Sequence, residues 1–369
     1  MIYNWELAEW PHFKYDENIF ADKLFQITTL FGKEAGVIAS IKEHVNNESK
    51  IDLIISEAIK SSEIEGEHLN KKDVMSSIRN NLGLNKTTEQ VKDKKAEGMA
   101  ELLIDVRNTF EAPLTQKLLF SWHKMVMRGS RGINAGVWRF HNEPMQVISG
   151  TVGKEKIHFE APPSYQVHEE MVRFIKWFND TNPKKNQGIK TPLVRAAIAH
   201  LYFESIHPFE DGNGRIGRVI AEKALSQSLG RPIVISISYA IEANKKAYYQ
   251  ALSNAQKTLD ITDWIDYFVD MILEAQVYAL QRINFSLKKG NFLDAHKSDL
   301  NKRQLKVIKR MLDEGPEGFE GGMNAKKYMS ITKTSKATAT RDLQNLVEAR
   351  VFVPTGGGRS TSYGIDIDT

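Results

Sequence analysis

The sequence predicts a mainly α-helical protein: a helical bundle carrying one β-hairpin, followed by a small C-terminal domain of three helices and a β-ribbon. Three observations carry this. Apolar residues recur at helical spacing through most of the chain, one stretch around residue 150 switches to strand-like alternation, and the text after residue 296 reads as three short helices and a glycine-tipped ribbon. A length of 369 residues with 41% hydrophobic and 26% charged residues allows two or three domains, each with its own core. Neither a collagen-like nor a disordered composition is compatible with 24 Gly and 11 Pro spread through such a chain.

In the N-terminal region, residues 1–110, Ile51, Ile54, Ile55, Ala58 and Ile59 fall on one helix face, and the segments Val74 to Leu82 and Ala96 to Phe110 repeat the pattern. Met145 to Ser149 and Lys156 to Glu160 are short alternating runs separated by Gly150 and Gly153, with Pro162-Pro163 behind them, which predicts a hairpin and an extended tail. Helical spacing resumes over His168 to Asn179, Pro192 to Ile206, Arg215 to Leu229 and Ile261 to Phe285. This divides the chain into a central domain at 111–258, a helix at 259–290, a polar linker beginning at Lys288-Lys289-Gly290-Asn291, and a last domain at 296–369. Helices over Lys302 to Leu312, Asn324 to Ser330 and Ser335 to Ala349, then strands on either side of Gly356 to Arg359, give the element order of a winged helix-turn-helix.

The chain has no cysteine, which removes disulfides, thiol nucleophiles and cysteine-based zinc sites. It shows no apolar run of about 20 residues and no signal-like start, so a cytoplasmic protein without membrane contact is expected. The net charge is +4, and from Lys297 onward 13 basic residues face 9 acidic ones, so the whole excess lies in the last domain. Contact with DNA through 296–369 is therefore open to it, as is protein docking.

The densest group of reactive and turn-forming residues is His207-Pro208-Phe209-Glu210-Asp211-Gly212-Asn213-Gly214-Arg215-Ile216-Gly217-Arg218, between two helices. Its glycines fit G-x-G-x-x-G, but the segment before them is a helix with Val194, Ile198, Leu201 and Tyr202 on one stripe, whereas a dinucleotide fold needs a strand there. A metal trio of His200, His207 and Asp211 is opposed by Pro208, which ends the preceding helix, and His200 reads as a core histidine. A polyphosphate site uses every residue. Gly212, Asn213 and Gly214 offer open backbone N–H groups at a helix start, Arg215 and Arg218 lie on its first turn, Asp211 can hold Mg²⁺, and His207 can act as a base.

His207 to Arg218 matches the motif H-[PF]-F-x-[DE]-G-N-G-R-x-x-R, and the chain is thereby identified as resembling the Fic-domain proteins. The resemblance implies a Fic-type helical bundle with a β-hairpin flap and a protein adenylyltransferase, which moves AMP from ATP to a Ser, Thr or Tyr hydroxyl of a target protein and of itself. By position it gives His207 the base and Phe209 a packing role. Asp211 would hold Mg²⁺, Gly212 to Gly214 the anion nest, the Asn213 side chain a phosphate contact, and Arg215 and Arg218 the β and γ phosphates. The hairpin resembles the family's flap, whose free edge pairs with target backbone through Val147, Ile148, Ser149, Gly150, His158 and Phe159. Tyr248 and Tyr249 resemble tyrosines near the adenine, or else form an ordinary packing pair; Gln256 stands where the family often has an asparagine; His123 and Arg139 are taken as structural.

Upstream, Ser61-Ser62-Glu63-Ile64-Glu65-Gly66 fits the family's inhibitory motif [S/T]-x-x-x-E-[G/N]. That resemblance has Ser61, Glu65 and Gly66 closing the site, with Glu65 paired to Arg218 in the space of the γ-phosphate. An AMP-removing or bifunctional enzyme would use the same residues, and a DNA-binding regulator working through the winged helix is the reading from a different class. A homodimer is compatible with either.

Overall fold

The computed structural model describes residues 2–40, 43–85, 87–149, 156–186 and 188–367. They divide into two compact units, residues 1–33 with 51–279 and residues 34–50 with 280–369. The elements in chain order are α1 (Ala21–Ser40), α2 (Glu43–Ile64), α3 (Lys71–Asn81), α4 (Lys94–Asn108), α5 (Gln116–Val126), β1 (Gln146–Ser149), β2 (Lys156–Glu160), α6 (Ser164–Asp180), α7 (Pro192–Ile206), α8 (Asn213–Leu229), α9 (Ile237–Ala243), α10 (Lys245–Ala255) and α11 (Thr262–His296). They continue with α12 (Lys302–Leu312), α13 (Ala325–Thr332), α14 (Lys336–Glu348), β3 (Phe352–Thr355) and β4 (Ser362–Ile365).

The first unit is built around α7, whose residues from Leu193 to Ile206 are all buried, the charged and polar Arg195, His200, Glu204 and Ser205 among them. Pro192 starts it at a position where a missing N–H costs nothing, and it ends where His207 turns left-handed, at φ 49°, ahead of Pro208. Helix α8 packs along α7, with α4, α5 and α6 beside the pair. Arg195 ties the layers together, donating to Phe178 O at 2.8 Å, Gln227 Oε1 at 2.8 Å and Ala224 O at 3.0 Å. Both ends of α8 are set by glycines, Gly212 before it at φ 81° and Gly230 after it at φ 69°.

The antiparallel hairpin pairs Val147 with Phe159 and Ile148 with Ile157, with a register shift between Val147 and Ile148. Phe159 is buried against Tyr3, ring centroids 5.0 Å apart, so this residue anchors the hairpin to the body of the unit and does not present itself to a target. Gly150, expected at the tip, lies outside the described residues.

In the second unit α12, α13 and α14 enclose Val307, Ile308, Met311, Tyr328, Leu343 and Leu346, and β3 and β4 pair antiparallel behind them. Asp342 is 2% exposed and accepts from Arg303 Nε at 2.8 Å and Tyr328 Oη at 2.9 Å, so one carboxylate joins all three helices. The polar linker expected at Lys288 is absent from this unit, because α11 continues unbroken to His296. Gly290 costs such a helix about 1 kcal/mol. Burial of Phe292 to 2% exposure contributes about 1.5–3 kcal/mol and outweighs it.

Candidate active site

The turn between α7 and α8 collects the chemistry. Phe209 is fully buried, stacked on His123 with centroids 3.9 Å apart and tilted on Trp138 at 4.9 Å. The Asn213 side chain closes the loop: its Oδ1 accepts from Phe209 N at 2.9 Å and its Nδ2 donates to Phe209 O at 2.8 Å. The phosphate contact expected of this side chain gives way to a structural one, because the amide is 2% exposed and already bound to backbone on both sides. Gly212 and Gly214 keep the backbone at the head of α8 bare. A Cβ on Gly212 would lie 3.0 Å from Val126 Cγ1, and one on Gly214 only 2.3 Å from Glu65 Oε1.

His123 supports this turn from below. Its Nδ1 accepts from Gly136 N at 2.8 Å, which leaves the proton on Nε2 to donate to Asp211 O at 3.1 Å. Burial pushes its pKa down to about 4, so the ring stays neutral and keeps both contacts. Arg139, also buried, donates to His207 O at 2.8 Å, Ser164 Oγ at 2.9 Å and Pro162 O at 2.5 Å, joining the turn to the segment that leaves the hairpin. The His207 side chain is 17% exposed and so keeps an open edge.

The two arginines differ in how they are held. Arg218 Nε donates to Ser61 Oγ at 3.0 Å, and Nη2 donates to Ser61 O and to Glu65 Oε1, each at 2.9 Å. Burial works against its charge and the Glu65 carboxylate more than offsets that, so the guanidinium stays charged. Arg215 Nη1 donates to Glu67 Oε2 at 2.7 Å, and Nη2 lies 3.4 Å from Asp211 Oδ1. Both carboxylates come from the turn after α2, folded by Glu65 N and Glu67 N bonding to Ser62 O at 3.1 Å and 2.9 Å, with Gly66 at φ 77° between them. Helix α2 is fixed further up by Glu57, which accepts from Ser236 Oγ at 2.8 Å, Ser238 N at 2.9 Å and Ser238 Oγ at 2.5 Å.

Sequence reading missed Glu67, since α2 ends at Ile64 and helical spacing says nothing about an acid three residues later. The tyrosines separate: Tyr248 is 2% exposed with its hydroxyl 2.8 Å from His200 Nε2, a core position, while Tyr249 is 39% exposed. Gln256 Nε2 donates to Glu204 O at 3.3 Å. His200 stacks on Trp264 at 5.9 Å as a core ring. Among the described residues no three His, Cys, Asp or Glu side chains converge as metal ligands. The Asp211 side chain is 51% exposed beside the bare nest, and a single carboxylate plus phosphate oxygens is a donor set that suits Mg²⁺.

Residues 113–225 match the Fic/DOC family, and residues 3–84 match a domain of unknown function, DUF4172. A protein adenylyltransferase (fic-1) of Caenorhabditis briggsae is 27% identical over 154 residues, 41% of this chain and 27% of that protein. A protein adenylyltransferase Fic of Nematostella vectensis is 31% identical over 87 residues, 24% of this chain and 19% of that protein. The chain thus spans well under half the length of these curated relatives. Among solved structures, a Fic family protein from Desulfovibrio desulfuricans aligns with a TM-score of 0.52 at 19% identity, covering 93% of this chain and 95% of that one. The Fic-1 structure from Caenorhabditis elegans aligns with a TM-score of 0.51 at 19% identity, covering 74% of each chain.

Proposed function

Since this chain carries a Fic domain, we propose that it is a protein adenylyltransferase, transferring AMP from Mg·ATP to a Ser, Thr or Tyr hydroxyl of a target protein and of itself, and that the end of α2 holds it inactive. One observation carries the reading: each guanidinium at the bare head of α8 is paired with a carboxylate from a single short turn, Arg218 with Glu65 and Arg215 with Glu67. Carboxylate and phosphate compete for the same donors, so a triphosphate gains the site only as this turn gives way.

In the transfer, the hydroxyl oxygen attacks the α-phosphorus, the bond to the β-phosphate oxygen breaks, pyrophosphate leaves, and His207 accepts the hydroxyl proton. The backbone N–H groups at Gly212 to Gly214 and the two arginines hold the β and γ phosphates. Asp211 is the side chain that would hold Mg²⁺, which supplies charge neutralisation between phosphates. Val147, Ile148 and Ser149 on β1 are the positions at which target backbone would pair, and Tyr249 is the exposed aromatic available to the adenine.

The test is to incubate the chain carrying Glu65→Gly, and a lysate, with ATP labelled at the α-phosphate. Label should appear on protein, and His207→Ala should reduce it about 10²- to 10⁴-fold without changing the melting temperature. Label transferred only from the γ-phosphate, or full labelling by folded His207→Ala, overturns the reading. Removal of AMP would use the same residues by a different step, in which water attacks the α-phosphorus, the bond to the target oxygen breaks, and AMP and the free hydroxyl are released. It would show as loss of label from pre-modified protein.

DNA contact is a second, additive reading. It is favoured by Lys336, Thr340 and Arg341, exposed on α14, and by Ser335, exposed at the cap just before it. Gel shifts should weaken steeply with salt if phosphates are being neutralised.

A further inference from the structure

Glu204 is a buried acid that the reading above leaves without a task. It sits on α7 one turn before His207, its side chain 6% exposed, with Oε2 3.6 Å from His207 Nδ1. Its Oε1 and the His207 Nδ1 are both buried without a hydrogen-bond partner. A buried carboxylate left in that state is costly unless a neighbour answers its charge. Space for it is cut from α8 by a glycine, since a Cβ on Gly217 would lie 2.4 Å from Glu204 Oε1 and 3.3 Å from His200 Cε1. Burial works to raise its pKa, yet the adjacent His207, together with His200 and Arg218, holds the carboxyl below the usual range. The hydroxyls of Tyr248 and Tyr249 are the remaining titratable groups that feel its charge.

We propose that Glu204 is the positioning residue of the active-site base: it draws the His207 ring proton onto Nδ1, leaves the Nε2 lone pair facing the target hydroxyl, and stabilises the imidazolium formed as that proton is taken. The proposal rests on His207 being the base. It explains why the turn of α8 facing α7 carries Gly217, which leaves room for a charged side chain that a larger residue would displace.

The test measures initial AMP-transfer rates at saturating ATP, the KM for ATP, and melting temperature, in the full chain carrying Glu65→Gly. Glu204→Gln keeps the shape and removes the charge. It should lower kcat about 10- to 10³-fold with KM for ATP within about twofold, because the carboxylate acts on the base and not on nucleotide. His207→Ala with Glu204→Gln should be no slower than His207→Ala alone, which a purely structural glutamate would not produce. Should Glu204→Gln melt early, Glu204→Asp retains the charge one methylene further from Nδ1 and should lose kcat while keeping the fold. Unchanged kcat in a folded Glu204→Gln, or losses that multiply in the double variant, overturns the proposal while leaving His207 as base. Full activity of His207→Ala overturns the underlying reading and the proposal with it.

Discussion

Replacing Glu65 with glycine removes one carboxylate from a guanidinium that is 1% exposed at the side chain, while Glu65 itself is 27% exposed. A charge-assisted hydrogen bond of this kind contributes about 1.5–3 kcal/mol net. Arg218 keeps its bonds to Ser61 Oγ and Ser61 O, so the fold should survive and the guanidinium stay aimed at the head of α8. The γ-phosphate then meets no competitor, and the same 1.5–3 kcal/mol corresponds to about 10- to 10²-fold in apparent affinity or rate. Clearance adds to this, because Glu65 Oε1 presses against the bare face of Gly214 where phosphate oxygens would come to rest. The assay is the initial rate of transfer from α-labelled ATP for Glu65→Gly, Arg218→Ala and the pair together. The first should gain about 10- to 10²-fold, the second should lose activity with its phosphate ligand, and the pair should behave like Arg218→Ala. A Glu65→Gly rate equal to or below wild type refutes the reasoning and turns attention to AMP removal.

Three further outcomes are expected. Glu67→Gln frees Arg215 in the same way, so ATP affinity measured by titration should rise in Glu65→Gly and rise again in the double variant; no second gain would mean that Glu67 merely ties Arg215 to Lys95, its partner at 2.5 Å. Asp211→Ala should lose activity together with its Mg²⁺ dependence, and a normal Mg²⁺ titration would remove Asp211 from that role. Glu222 has its pKa pushed up to about 7 by burial, with the charge of Glu57 adding and Arg107 opposing. The folded chain therefore holds a proton that the unfolded chain releases between about pH 4.5 and 7, so this group's contribution to stability falls as pH rises through that window. Denaturant melts at pH 5 and pH 7.5 should show the wild type losing stability relative to Glu222→Gln, and parallel behaviour of the two would refute it.

Much of the site could be read from the chain because its residues are consecutive. His207 to Arg218 specify a helix end, a bare turn and a helix start by local chemistry alone, and Pro208 and the glycines mark the boundaries. The mainly helical class followed equally from periodicity, but the stripe of Val194, Ile198, Leu201 and Tyr202 did not show that α7 would be buried on every side. What remained hidden depends on contacts across the fold. Asn213 reads as a phosphate ligand until Phe209 is seen to claim both ends of its amide. Phe159 looks like a flap surface residue until Tyr3 covers it. Glu204 and Glu67 are ordinary acids in sequence, and only the approach of α7 to α8 and of the turn after α2 to Arg215 gives them partners. The expected break at Lys288 failed for the opposite reason: local polarity suggested a loop, and the burial of Phe292 beyond it kept the helix intact.

The three hydrogen bonds on Glu57 bear on how the turn after α2 can open. With that carboxylate pinned two helical turns upstream, sliding of α2 as a rod would break a buried, fully engaged group, whereas unwinding of its final turn at the Gly66 end breaks little. Opening is then a local fraying equilibrium, whose free energy is that of the few bonds made by Ser61, Glu65 and Glu67. The Glu65 bond alone is worth about 1.5–3 kcal/mol and the Ser61 and Glu67 bonds add to it, so the frayed population lies below roughly one molecule in ten and the wild type should leak at a constant low rate. A partner need not pull the helix out; anything that captures the frayed turn, on a microsecond timescale, would hold the enzyme on.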